Sequence, residues 1–81
     1  MAHVTLIGNL RNFTGGVSEI HVAADNVRKV LAELVRLHPA LAPHLADGVA
    51  VAIDGQIYQD ALLEPVGPAS EVHILPKIAG G

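Results

Sequence analysis

Asn26-Val27-Arg28-Lys29-Val30-Leu31-Ala32-Glu33-Leu34-Val35-Arg36-Leu37-His38-Pro39 is the one stretch of this 81-residue chain that repeats its apolar residues at helical spacing. Val27, Val30, Leu31, Leu34 and Leu37 share a face, and Arg28, Lys29, Glu33 and Arg36 fall mostly on the other. Asp25 or Asn26 is placed to cap the first turn, because either side chain accepts from its unpaired amides. Pro39 stops the helix near Leu37 or His38. One helix covers one face of one sheet, so the flanking segments must supply that sheet.

Before the helix, His3-Val4-Thr5-Leu6-Ile7 is a short β-type run with Val4 and Leu6 on one side. Glu19-Ile20-His21-Val22 alternates polar and apolar, with Ile20 and Val22 inward. The two form a hairpin whose loose connection, Arg11 to Gly16, holds Phe13 and the turn Thr14-Gly15-Gly16. After the helix, Ala40 to Leu45 is compatible with a further short turn, ended by Asp47-Gly48. Val49-Ala50-Val51-Ala52-Ile53 is apolar throughout, as in a strand buried on both faces or packed beside the helix. Asp54-Gly55 is the strongest hairpin signal and leads into Gln56-Ile57-Tyr58. Leu62, Leu63 and Val66 suggest a crossing segment anchored in the core. Glu71-Val72-His73-Ile74-Leu75 is the last strand, with Val72 and Ile74 inward, and Pro76 ends its regular pairing. The order is strand, strand, helix, strand, strand, crossing segment, strand: an α+β chain of β-grasp type, with a mixed sheet covered on one face by one main helix. The expected division is a domain over residues 1–76 and a flexible tail over 77–81.

Composition limits what such a domain does. Hydrophobic residues make up 51% and aromatic residues 2%, so aliphatic side chains must build the core. No apolar run approaches the ~18 residues of a membrane span. Met1-Ala2-His3 has no basic start or apolar run of a signal peptide, and a cytoplasmic location is expected. With no cysteine, the chain has no disulfide, thiolate ligand or thiol nucleophile. Its net charge is −3, without the positive footprint of a nucleic-acid binder. Residues 37–81 hold Lys77 against Asp47, Asp54, Asp60, Glu64 and Glu71, so a partner touching this half is expected to be basic. The same charge also serves solubility.

The chemistry is concentrated at the end. Gly80-Gly81 has no side chains, so it threads a narrow tunnel, and its one handle is the terminal carboxylate. Once activated as an acyl-adenylate, a carboxylate becomes an acyl donor. Leu75-Pro76-Lys77-Ile78-Ala79-Gly80-Gly81 resembles the Leu-Pro-x-Val-Ala-Gly-Gly ending of bacterial and archaeal ubiquitin-like sulfur carriers. These include the molybdopterin-synthase small subunit, the thiamine sulfur carrier and the carrier of an alternative cysteine pathway. Leu10-Arg11 followed by Thr14-Gly15-Gly16, the helix Val27–Leu37, and Val51-Ala52-Ile53-Asp54-Gly55 extend the likeness over nearly the whole chain.

The resemblance implies that an adenylating, ubiquitin-activating-like enzyme uses ATP on Gly81. A sulfur donor then makes the thiocarboxylate, and a biosynthetic partner enzyme accepts the sulfur. Gly80 would be the spacer, and Leu75, Pro76, Lys77, Ile78 and Ala79 the partner-binding tail. The chain itself would be no enzyme and would bind no cofactor or metal, no nucleic acid and no membrane. Leu6-Ile7-Gly8-Asn9-Leu10-Arg11 departs from the aromatic-rich start usual in molybdopterin-synthase subunits, and its length exceeds the usual thiamine carrier. Conjugation of Gly81 to target lysines is the alternative, and a plain interaction module is a third reading.

Away from the tail, His3, His21 and His73 are expected on the sheet face opposite the helix, either as a polar face or as imidazoles able to meet a divalent metal. Leu75 shares that face, a candidate docking surface with Ile78 beyond it. His38 and His44 are expected to meet terminal helix carbonyls or solvent. Phe13 and Tyr58 are expected to pack. Asp54/Asp60 and Glu64/Glu71 lie in turns without a facing acid-base partner, and there is no phosphate loop or Ser-His-Asp set.

Overall fold

A computed structural model describes residues 1–46, 49–59 and 61–76 of the chain. Five strands form one sheet: β1 (Ala2–Leu6), β2 (Glu19–Val22), β3 (Val49–Ile53), β4 (Gln56–Gln59) and β5 (Glu71–Pro76), in the order β2-β1-β5-β3-β4. β5 is central, parallel to β1 and antiparallel to β3, while the β1–β2 and β3–β4 pairs are antiparallel hairpin neighbours. Helix α1 (Val27–Leu37) lies across one face, and a short helix α2 (Ala42–Ala46) follows it after a 3-10 turn at Pro39–Leu41. This is the β-grasp expected from the order of elements.

The core follows the alternation. Val4, Leu6, Ile20, Val22, Val49, Val51, Ile53, Val72 and Ile74 meet Val27, Val30 and Leu34 of α1, with Leu41 and Leu45 closing one end. Leu34, Leu41, Val4, Val30, Val72 and Ile74 have no exposed surface. Tyr58 sits opposite Val51 and packs partly buried against this core, and Phe13 does the same, as expected of both. Leu37, the last residue of the helical stripe, is exposed rather than buried.

Local chemistry sets the boundaries. Asn26 is the cap, its side chain accepting from the Lys29 amide at 2.9 Å. Asp54 and Gly55 both have positive φ, 48° and 91°, the two-residue turn whose twist suits a hairpin. The connection between β1 and β2 is more ordered than its sequence suggests, since Gly8–Phe13 winds into a 3-10 helix. The Asp47-Gly48 break lies outside the described residues.

The crossing segment corrects one expectation. Val66 is buried, but Leu62 is 46% exposed and Leu63 76%. Backbone groups hold this segment in place. The carbonyls of Leu62 and Glu64 accept from the amides of Arg28 and Val27 at 2.8 and 3.0 Å, and the Val66 amide donates to Asp25 at 2.9 Å. Helix amides that have no partner within α1 are thereby satisfied, and the leucine side chains are left in solvent.

Candidate functional site

β5 carries the candidate site because the chain leaves the middle of the sheet along it. Its last residue, Pro76, pairs with Val49 at the start of β3, and Leu75 pairs with Ala50. Gly81, Gly80, Ala79, Ile78 and Lys77 lie outside the described residues, so of the expected tail only Leu75 and Pro76 are placed.

Register defines the sheet face turned away from α1. Opposite residues on paired strands share a face, which puts Thr5, His73, Ala52 and Ile57 in one row and Leu75, Ala50 and Gln59 in the next. The half nearest the root of the tail is therefore low and apolar. Ala50 is buried, Ala52 and Leu75 are half-buried, and Ile57 on the edge strand is 68% exposed. Leu75 takes the expected face, and Ile57 is a neighbour that sequence reading missed. Strand alternation alone held the signal, since Ile57 is one residue out of phase with the inward Tyr58.

The other half is polar and histidine-rich. His3 lies directly opposite His21, with ring centroids 4.9 Å apart and planes 22° from parallel. The ring of His3 lies between two carboxylates, with Nδ1 2.7 Å from Glu71 and Nε2 2.8 Å from Glu19, and when protonated on both nitrogens it donates to each. His73 is two residues further along β5, opposite Thr5. The three histidines thus share a face as expected but do not converge. Among the described residues no group of three or more His, Asp or Glu is arranged to hold a metal ion. His44 differs from expectation, stacking on Phe13 with centroids 3.7 Å apart and so tying α2 to the 3-10 turn after β1.

The carboxylates tune His3. The hydrogen bond to Glu71 raises its imidazole above the ordinary 6.5, desolvation opposes this, and Glu19 adds to the rise. A raised folded-state value means that this contribution to stability is complete below about pH 6.5 and is lost as pH climbs through the raised value. Urea unfolding midpoints measured upward from about pH 6 should therefore fall. The decline should be shallower in His3→Gln; equal slopes in both proteins would show that the cluster contributes nothing.

Among the described residues, no helix is long and apolar enough to cross a membrane.

The model of the ThiS family matches residues 4–81. No curated protein sequence gives a significant match. Several solved structures share the architecture, among them the following three. CysO in the Amycolatopsis orientalis BexX/CysO complex superposes with a TM-score of 0.81 at 20% identity, over 100% of each chain. Mycobacterium tuberculosis CysO gives 0.82 at 19% identity, over 96% of this chain and 100% of that one. The small archaeal modifier protein 1 of Methanosarcina acetivorans gives 0.79 at 25% identity, over 99% and 95%.

Proposed function

The chain belongs to the ThiS family, and from that premise we propose that it is a sulfur carrier whose charge is borne at Gly81. The observation that carries this reading is the family match running through the Gly80-Gly81 ending, on a fold whose central strand leads directly into that ending. A terminal carboxylate oxygen attacks the α-phosphorus of ATP on an adenylating enzyme, and pyrophosphate leaves. Hydrosulfide then attacks the acyl carbon, AMP and a proton leave, and the thiocarboxylate remains. The absence of cysteine supports a terminal sulfur, since no thiol in the chain competes for it. A biosynthetic enzyme of molybdopterin, cysteine or related metabolism takes the sulfur. The cargo site then consists of Gly81 with Gly80 as spacer, and Leu75 to Ala79 form the stem that the partner grips. The chain acts as substrate and subunit, binding no cofactor of its own.

The likeness to a small archaeal modifier protein favours a second reading. There the acyl-adenylate meets a lysine amine, AMP leaves, and an isopeptide bond to Gly81 forms. One experiment separates the two. The untagged chain, incubated with ATP, its cognate adenylating enzyme and sulfide, is weighed intact by mass spectrometry. Replacement of one oxygen by sulfur, mapped to Gly81, is the expected result. Activation without sulfur uptake, together with conjugates in cells that vanish when Gly81 is deleted, would give the modifier reading first place.

A further inference from the structure

An apolar crevice of about 170 Å³ opens between α1, α2, the start of β3 and the head of the crossing segment. Leu31, Leu45, Ala46, Val49, Ala61 and Leu62 are among the residues that line it, and none of the described residues lining it is charged. A cavity of roughly 150 Å³ lined by aliphatic side chains stays dry and takes up a benzene ring, so the space suits one branched or aromatic side chain. Leu62 and Leu63 stand at or beside its lip, 46% and 76% exposed. Apolar side chains left in water beside an apolar recess are the usual mark of a contact surface.

Its place in the fold says what contacts it. Val49 lines the crevice and is also the residue paired with Pro76, so the recess adjoins the root of the tail. Five residues separate that root from the terminal carboxylate, and fully extended they reach at most about 17 Å. A protein that acts on Gly81 inside its own active site must therefore press its rim against this end of the molecule. We propose that the crevice receives an aliphatic or aromatic side chain from the rim of the adenylating enzyme that takes up the tail. The proposal rests on the carrier reading of Gly81 and adds to it a second point of grip, on the helix side of the sheet. One anchor in a pocket beside a threaded tail fixes the approach angle, which an unbranched Gly-Gly end alone does not.

Ala46 is exposed at this recess, so Ala46→Arg obstructs it without opening a hole in the core. The assay is ATP–pyrophosphate exchange by the purified ubiquitin-activating-like enzyme of the same organism, with the full-length chain as substrate. Ala46→Arg is expected to raise KM about tenfold or more with kcat and melting temperature unchanged. Ala23→Arg, exposed beyond the end of β2 and away from the crevice, should match the parent chain. Methyl NMR of the full chain should show Leu31, Leu45, Val49 and Leu62 shifting when the enzyme is added. A KM within twofold of the parent, with those methyls unmoved, overturns the proposal and leaves the carrier reading intact. Absence of exchange with the parent chain itself removes both. Crevice methyls that shift with the concentration of the chain alone would assign the recess to a second copy, also against the proposal.

Discussion

A chain extended by one residue beyond Gly81 is expected to take up no sulfur, while folding and melting like the parent. The reasoning runs from the chemistry of the end. Two glycines in succession present nothing but backbone, so a tunnel that accepts them can be as narrow as a peptide, and the reacting carboxylate lies where the chain stops. An added residue displaces the carboxylate by about 3.4 Å, and misplacement of a reacting group by about 1 Å already costs on the order of a hundredfold in rate. Loading should therefore fall below detection by intact mass. Gly80→Ala, which keeps the carboxylate in place but adds a methyl group to the tail, should retain a measurable fraction. The pairing and core described for the body lie within residues 1–76, so neither change should alter the thermal midpoint. Sulfur uptake by the extended chain at the parental rate would remove the terminal carboxylate from the mechanism.

The second large effect concerns the body. Leu34→Ala should lower the melting temperature by about 10–30 °C, as read by circular dichroism. Leu34 is fully buried in the middle of α1, where the helix meets the sheet, and removal of such a side chain costs about 2–5 kcal/mol. A domain of this length has only about 4–12 kcal/mol of stability to lose. The core has few aromatic side chains with which to compensate, since Phe13 and Tyr58 sit at its margin. A drop of less than about 5 °C would mean that the helix is not the main cover of the sheet.

Much of this was legible in the sequence because two periods were strong. The 3.6-residue repeat of Val27, Val30, Leu31 and Leu34 gave the helix, and the two-residue alternation in Ile20-His21-Val22 and Val72-His73-Ile74 gave both the core and the histidine face. Asp54-Gly55 announced its turn through the positive φ that it adopts. Features built by distant backbone groups or by stacking were not legible. Leu62 and Leu63 look like core residues, yet the segment is held by carbonyls bound to the first amides of α1. The His44–Phe13 stack joins elements 31 residues apart, and no local pattern signals it. The two carboxylates on His3 come from β2 and β5, so the clasp exists only once three strands are aligned. For the tail, composition supplied the chemistry of a bare carboxylate, while its role came from the resemblance of the ending.

The position of β5 has a further consequence for how the protein is made. It is the centre of the sheet, and of the described strands it is the last to leave the ribosome. His3 pairs with Glu71 and Leu6 with Ile74, contacts that span nearly the whole chain. Until β5 is synthesised, the β1–β2 hairpin and the β3–β4 hairpin have no strand to join them, so the sheet cannot close during translation. A chain that stops before β5 lacks the strand that joins its two hairpins, so closure of the sheet itself reports that synthesis has passed β5.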